Sequence, residues 1–192
     1  MRDTRLMAAV ILASAALLAS CATVEPEPDE VAVAVEPDAP PAPTFDIVGV
    51  DGNRYSLTDL TQTSSAFLVF WKEVCPHNPR AMPLYNAMTE AYGDGTPLLH
   101  VVWVAPEGAV GWTEQLDAKG PVLPDPAGEL VHAYNMVESV VTVVGSDGRI
   151  AQVYGGYGQE EMGRLNEALA RAVGAPVAAL DFSAAPEKQT YG

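Results

Sequence analysis

The run from Ser65 to Trp71, SAFLVFW, constrains this chain more than any other segment. Its consecutive apolar side chains point alternately to the two faces of a strand, so both faces need cover. A second run of the same kind, Leu98 to Val104, reads as another strand buried on both faces. Between them, Met82, Tyr85, Met88 and Ala91 or Tyr92 recur at helical spacing from Pro79 to Tyr92. Two buried strands joined by an amphipathic helix call for a layered α/β domain. The first strand also delivers the chain into Cys75-Pro76-His77-Asn78, just where the helix begins.

The rest of the domain fits that plan. FDIVGVDGNRYSLTDL, from Phe45, carries two short strand-like runs around Asp51-Gly52, a hairpin signal. DPAGELVHAYNM reads as a short helix opened near Asp125. SVVTVVGSDGRIAQVYGG reads as an antiparallel hairpin turning at Asp147-Gly148. A last amphipathic helix, from about Gln159 to Val173, puts Met162, Leu165, Leu169 and Val173 on one stripe. The expected order is hairpin, strand, helix, strand, helix, hairpin, helix: a three-layer α/β fold with a mixed central sheet over residues 44–175. Residues 176–192 read as a flexible tail.

Ahead of the domain, residues 24–43 are VEPEPDEVAVAVEPDAPPAP, acidic and proline-rich, with too few large apolar groups to bury. This segment is expected to be a disordered, self-repelling tether. It carries much of the chain's acidity, 25 Asp and Glu against 10 Lys and Arg. A formal charge of −15 leaves no basic patch for a nucleic-acid backbone. At the start, Arg2 and Arg5 precede an apolar run from Leu6 to Leu18, too short to cross a ~30 Å hydrocarbon core comfortably. Leu18-Ala19-Ser20-Cys21 resembles the bacterial lipobox, in which cleavage before the cysteine is coupled to its lipidation. An ordinary secretory peptide and an uncleaved anchor are the competing readings. The lipobox reading makes residues 1–20 a signal peptide and attaches Cys21 to a membrane. With Ala22 and Thr23 next, where an inner-membrane retention signal often shows Asp, the resemblance implies the outer membrane, facing the periplasm. The chain's second cysteine, Cys75, is then left with no internal disulfide partner.

Several motifs in order carry a resemblance to a family. DGNRYSLTDL, the strand ending LVFW, CPHNPRAMP, PVLPDPAGELVHAYNM and GSDGRI resemble the thioredoxin-like superfamily, most closely its membrane-attached TlpA-type thiol:disulfide oxidoreductases and redoxins. The resemblance spans about Phe45 to Val173. It implies a thioredoxin-like fold and a site built on Cys75, with Trp71, Pro76, Ser139 and Val140 lining a substrate groove. The departures fall at that site. Asn78 stands where the second cysteine of a redox pair is usual, and Val74 where a tryptophan usually precedes the first. Neither Ser139 nor Val140 is the proline expected to face the cysteine. A peroxiredoxin fits less well, with Lys72 and Leu68 at its usual Thr and Pro positions.

The chemistry of Cys75 follows from its place. The thiolate is the attacking species, and unpaired N–H groups at a helix start favour an anion. Pro76 suits a first helical position, which needs no N–H. His77 is a candidate proton carrier, and Asn78 is either a hydrogen-bonding stand-in or a helix-start residue without a role. One thiol can form a mixed disulfide that an external thiol releases, or be oxidised to a sulfenic acid. The other reading is an inert relic in a module that docks a protein or peptide. A metal reading would join Cys75 and His77 to His100 and His132, but nothing in the sequence ties those two to the loop. No phosphate-binding glycine loop, Ser-His-Asp order or paired-carboxylate pattern is present, and no cofactor is implied. The expected partners are a membrane, through Cys21, and a thiol or disulfide client or reductant.

Overall fold

The computed structural model describes residues 38–93, 96–136 and 140–188. The leader, Cys21, most of the tether and Ser139 lie outside them.

A five-stranded sheet in the order β5-β4-β3-β6-β7 forms the centre. β3 (Ala66–Lys72) lies in the middle, parallel to β4 (Leu98–Trp103), which is parallel to β5 (Val122–Pro124). On its other side β3 pairs antiparallel with β6 (Val140–Val144), and β6 with β7 (Ile150–Gly155). A separate two-stranded hairpin, β1 (Asp46–Val48) and β2 (Arg54–Ser56), turns through Asp51-Gly52.

The alternation along β3 divides the core in two. Phe67, Val69 and Trp71 point into a cluster with α2 (Asn78–Tyr92), α3 (Pro106–Leu116) and α5 (Gln159–Ala172). Ala66, Leu68 and Phe70 point the other way, toward Phe45, α1 (Leu57–Thr61) and α4 (Glu129–Ala133). This is the three-layer arrangement the apolar strands demand. Among the described residues no helix is long and apolar enough to cross a membrane.

Both expected domain ends need correction. Residues 39–43, expected in the tether, are packed and hydrogen-bonded against the domain. Ala39 and Ala42 are buried, Ala42 N donates to Gly148 O, Ile150 N donates to Pro40 O, and Tyr134 Oη donates to Pro43 O. The 39–43 segment thus adds to the β6–β7 end of the sheet. At the other end, the expected loose tail is a strap as far as residue 188. Leu180, Phe182 and Ala185 pack on the core. Asn166 Nδ2 donates to Ala178 O, and Ala178 N donates to Tyr92 Oη. Pro186 O accepts from Gln159 N, one of the N–H groups left unpaired at the start of α5. Small, weakly apolar residues hid the strap in the sequence. Its hold is made largely by backbone groups.

Tyr92 is the junction of that strap, since its hydroxyl also donates to Asn166 Oδ1 at 2.5 Å. Tyr92→Phe is expected to lower stability by about 1–2 kcal/mol and to make the 176–188 segment protease-sensitive before the rest of the domain. Denaturant melts and limited proteolysis measure the two effects.

Candidate functional site

β3 ends at Lys72 and α2 begins at Asn78, so Cys75 sits in the connection. The loop is closed by Cys75 N donating to Lys72 O (3.4 Å) and Asn78 N donating to Cys75 O (3.1 Å). The helix starts at Asn78, one residue before the expected Pro79 and two after Pro76. His77 is the N-cap, without a side-chain capping bond, and the proline within the first turn is Pro79. Pro76 therefore lies outside the helix and serves the turn. Cys75 precedes the first helical residue by three positions, beside the helix start rather than on it.

Asn78 occupies the place of a second cysteine and is 3 % exposed. Its Nδ2 donates to Lys72 O at 2.8 Å and to Glu73 O at 3.4 Å, binding the loop to the strand end. Both acceptors are carbonyls, which fixes the orientation of the amide. Its Oδ1 is buried without a hydrogen-bond partner. Its amide N–H groups bond the loop backbone and not the thiol, and Asn78 is also the first residue of α2.

Cys75 is 8 % exposed and lines a cleft of ≈ 580 Å³ between its own loop and α3. Glu73, Pro76, Asn78 and Pro79 form one wall, and Gly108, Gly111, Trp112 and Gln115 the other. Val74, next to the thiol, is 88 % exposed. On the far side, Tyr157 Oη lies 3.4 Å from His77 Nδ1, with ring centroids 5.9 Å apart. Burial raises the Tyr157 phenol, a shift that Arg80 opposes and Cys75 reinforces, so all three share one electrostatic neighbourhood. Tyr157, at the exit of β7, and Trp112, in α3, were not foreseen as site residues. No local pattern ties either to a cysteine so distant in sequence.

Trp71 is buried, at 3 % exposure, and also borders an apolar hollow at the end of β3. Its indole packs against Tyr85 and Trp112 at 5.3 and 5.5 Å between centroids, and its Nε1 donates to His100 Nδ1 at 3.0 Å. His100 Nε2 in turn lies 2.9 Å from Lys119 O, which fixes the proton on Nε2. Both ring nitrogens of His100 are thereby engaged. His132 stacks edge-on with Trp103 at 5.4 Å, on α4. Among the described residues no group of three His, Cys, Asp or Glu side chains converges to hold a metal ion. Val140 starts β6 opposite Gly155 and packs partly buried in the second core cluster. An apolar hollow beside the β3 and β4 ends is lined by Phe70, Trp71, Trp103, His132 and Met136.

A mixed sheet with a lone cysteine at the end of its central strand, beside a helix start, defines a redoxin of thioredoxin-like fold. The chain belongs to the AhpC/TSA family, whose model matches residues 39–169. It is 26 % identical over 114 residues to the thiol-disulfide oxidoreductase ResA of Bacillus thuringiensis subsp. konkukian. That match takes in 58 % of this chain and 65 % of ResA. Among solved structures, it is similar to the exposed lipoprotein thioredoxin Etrx1 of Streptococcus pneumoniae: TM-score 0.57, 25 % identity, 66 % of this chain and 98 % of that one. It also resembles a thiol:disulfide interchange protein of Chlorobium tepidum, with TM-score 0.58, 18 % identity, and 72 % and 99 % coverage. At that identity the second likeness shows the fold alone.

Burial holds His100 neutral, with its pKa lowered to about 4 and the bond to Lys119 O opposing the shift. The unfolded chain takes up a proton near pH 6.5 and the folded one only near 4, so stability falls as pH drops between those values. The His100 share of that loss is roughly 3 kcal/mol. His100→Gln is expected to lose stability at pH 7 and to show a flatter slope between pH 6.5 and 4. Denaturant melts across that range check both.

Proposed function

We propose that this chain carries out thiol–disulfide exchange through Cys75 alone, with an external thiol completing each cycle. The observation that supports it best is the pairing of a cleft-lining Cys75 with Asn78, which preserves the loop but supplies no second sulfur. In the first step the Cys75 thiolate attacks a client disulfide. A bond forms between Cys75 Sγ and one client sulfur, the client S–S bond breaks, and the other client sulfur leaves as a thiolate. In the second step an external thiolate attacks the mixed disulfide and Cys75 leaves as a thiolate. His77, two residues from Cys75 and with Tyr157 against its Nδ1, is the proposed proton carrier between thiol and solvent. The named activity of ResA is consistent with this chemistry.

The location belongs to the same proposal. The Leu18-Ala19-Ser20-Cys21 order supports a lipid on Cys21 and, with it, a domain on the periplasmic face of the outer membrane. Etrx1, a lipoprotein by its own description, supports the pairing of such an anchor with this fold.

A second reading has one observation in its favour. Val74 and Trp103 are exposed near the site, Trp103 at 44 %, beside the apolar hollow. Such a surface suits a module that docks a protein or peptide without catalysis. Substitution at Cys75 separates the two readings, because docking tolerates Cys75→Ser and exchange does not.

The full chain is expected to release one more equivalent of thiolate from an aromatic disulfide at pH 7 than Cys75→Ser does. The resulting mixed disulfide is expected to persist until a thiol is added, since nothing within the chain resolves it. Mass spectrometry reads the adduct and its lifetime, and an inert or self-releasing Cys75 would sink the proposal. For the anchor, Cys21→Ser is expected to move the protein from the membrane to the soluble fraction of bacterial lysates.

A further inference from the structure

β7 is the outer strand of the five-stranded sheet, and only one end of its outer edge is covered among the described residues. There Pro41 bridges Arg149 in antiparallel sense, with Ala42 N donating to Gly148 O and Ile150 N donating to Pro40 O. Arg149 Nη1 donates to the next carbonyl back, Ala39 O. Traced backward from Ala42 to Ala39, the chain thus advances along β7 from Gly148 toward Gly155. Beyond Ile150 the edge lies open. Val153 is 43 % exposed, and its carbonyl accepts from the exposed Gln152 side chain at 3.3 Å. An open strand edge is a template for another strand, and here one has already begun.

The residues that come next suit that edge. Val31 to Val35 alternates a branched and a small side chain at the period of a strand, then leads into Glu36-Pro37-Asp38. Glu36 and Ala39 each precede a proline, which biases both toward extended backbone. Pro37 has no N–H to donate, a lack that outer strands tolerate and that Pro40 and Pro41 already show in the observed pairing. Charge adds to the fit. A groove between β7 and α5 follows the open edge, lined by Val153, Tyr154, Glu161, Arg164, Glu167 and Arg171. Arg164 pairs with Glu160, whereas Arg171 makes no ion pair among the described residues. Glu36 and Asp38 bring carboxylates to the arginines. Glu161 and Glu167 temper that attraction, so backbone pairing carries the docking and charge assists it.

We propose that residues 34–38 of this chain dock along β7 as a sixth strand, antiparallel to it, continuing the 39–43 segment. The N-terminal segment then leaves the domain at the Gly155 end of β7 instead of the Gly148 end. Cys75 lies at that same end. Gly155 pairs with Val140, the next residue Val141 pairs with Val69, and β3 runs on from Val69 to Lys72 and the Cys75 loop. The exit point moves by the length of β7, about 15–20 Å. With a lipid on Cys21, the docked strand turns the Cys75 end of the domain toward the membrane. That last consequence rests on the lipid reading, whereas the docking itself needs neither the lipid nor the thiol.

The test uses the full chain with Cys21→Ser and Cys75→Ser, nitroxide-labelled at two introduced cysteines, with label-to-label distances read by pulsed electron paramagnetic resonance. The first pair is Ala34→Cys with Ser146→Cys, the latter in the exposed turn beside the anchored end. A docked strand is expected to give one narrow distance near 30 Å, the span of about nine residues at ~3.3 Å each. An undocked segment gives a broad and shorter distribution, since a flexible chain spans only about 5–6 Å times the square root of its length. The second pair is Ala34→Cys with Glu161→Cys, across the groove at the far end of β7. Docking is expected to make this distance narrow and shorter than the first. Broad distributions, or a second distance longer than the first, would overturn the proposal. So would a narrow distance that vanishes when labelled chain is diluted into unlabelled chain, because the β7 edge then pairs with a second copy.

Discussion

The site depends on one side-chain amide. The Asn78 Nδ2 bonds to Lys72 O and Glu73 O add to the two turn bonds that hold the connection from β3 to α2. Those carbonyls lie at and just past the end of a strand whose pairing with β6 stops at Val69, so ladder donors run out at this point. The amide supplies a donor to each. It also draws the first turn of α2 against the strand end, and the geometry around Cys75 follows from that. A residue that departs from the redox-pair pattern thus keeps the loop in the shape the pattern serves.

Behind the loop stands a buried aromatic group centred on His100. The indole of Trp71 donates to Nδ1, Nε2–H donates to Lys119 O, and Tyr85 and Trp112 close around the ring. A neutral imidazole with a fixed tautomer works here as a rigid bridge between β3, β4 and the chain after α3. Trp112 is positioned by this group, so the face of α3 that reaches the Cys75 cleft is set from within the core.

The sequence revealed the sheet and most of the helices because their apolar residues repeat at the periods of strand and helix. SAFLVFW, LLHVVW and the Met162-Leu165-Leu169 stripe are of this kind, and so are the Asp-Gly turns. What it concealed has physical causes. α3 begins at Pro106 and carries Gly108 and Gly111, poor helix formers that are tolerated because Ala109 and Trp112 anchor the helix to the core. β5, three residues ending in proline, is too short to show a period. Cys75 was legible from its place after a buried strand. The interior position of Trp71 and the site roles of Trp112 and Tyr157 were not, since each follows from contacts between segments far apart in the chain. Pro76 and Pro79 were both compatible with a helix start, and the amide bonds of Asn78 decide between them.

The exchange of a second cysteine for Asn78 changes kinetics more than geometry. A resolving thiol within the loop attacks a mixed disulfide at the effective molarity of a neighbouring group, on the order of 10⁵ M or more when well oriented. A dissolved thiol acts at its actual concentration, several orders of magnitude lower. On the proposed chemistry, Cys75 therefore forms the mixed disulfide as a paired site would, but holds it for a time set by its surroundings. That arrangement suits a protein whose product is the long-lived adduct, or whose release step is assigned to a separate thiol. It places greater weight on whatever recognises the client before attack, because a wrong client would stay bound as long as a right one.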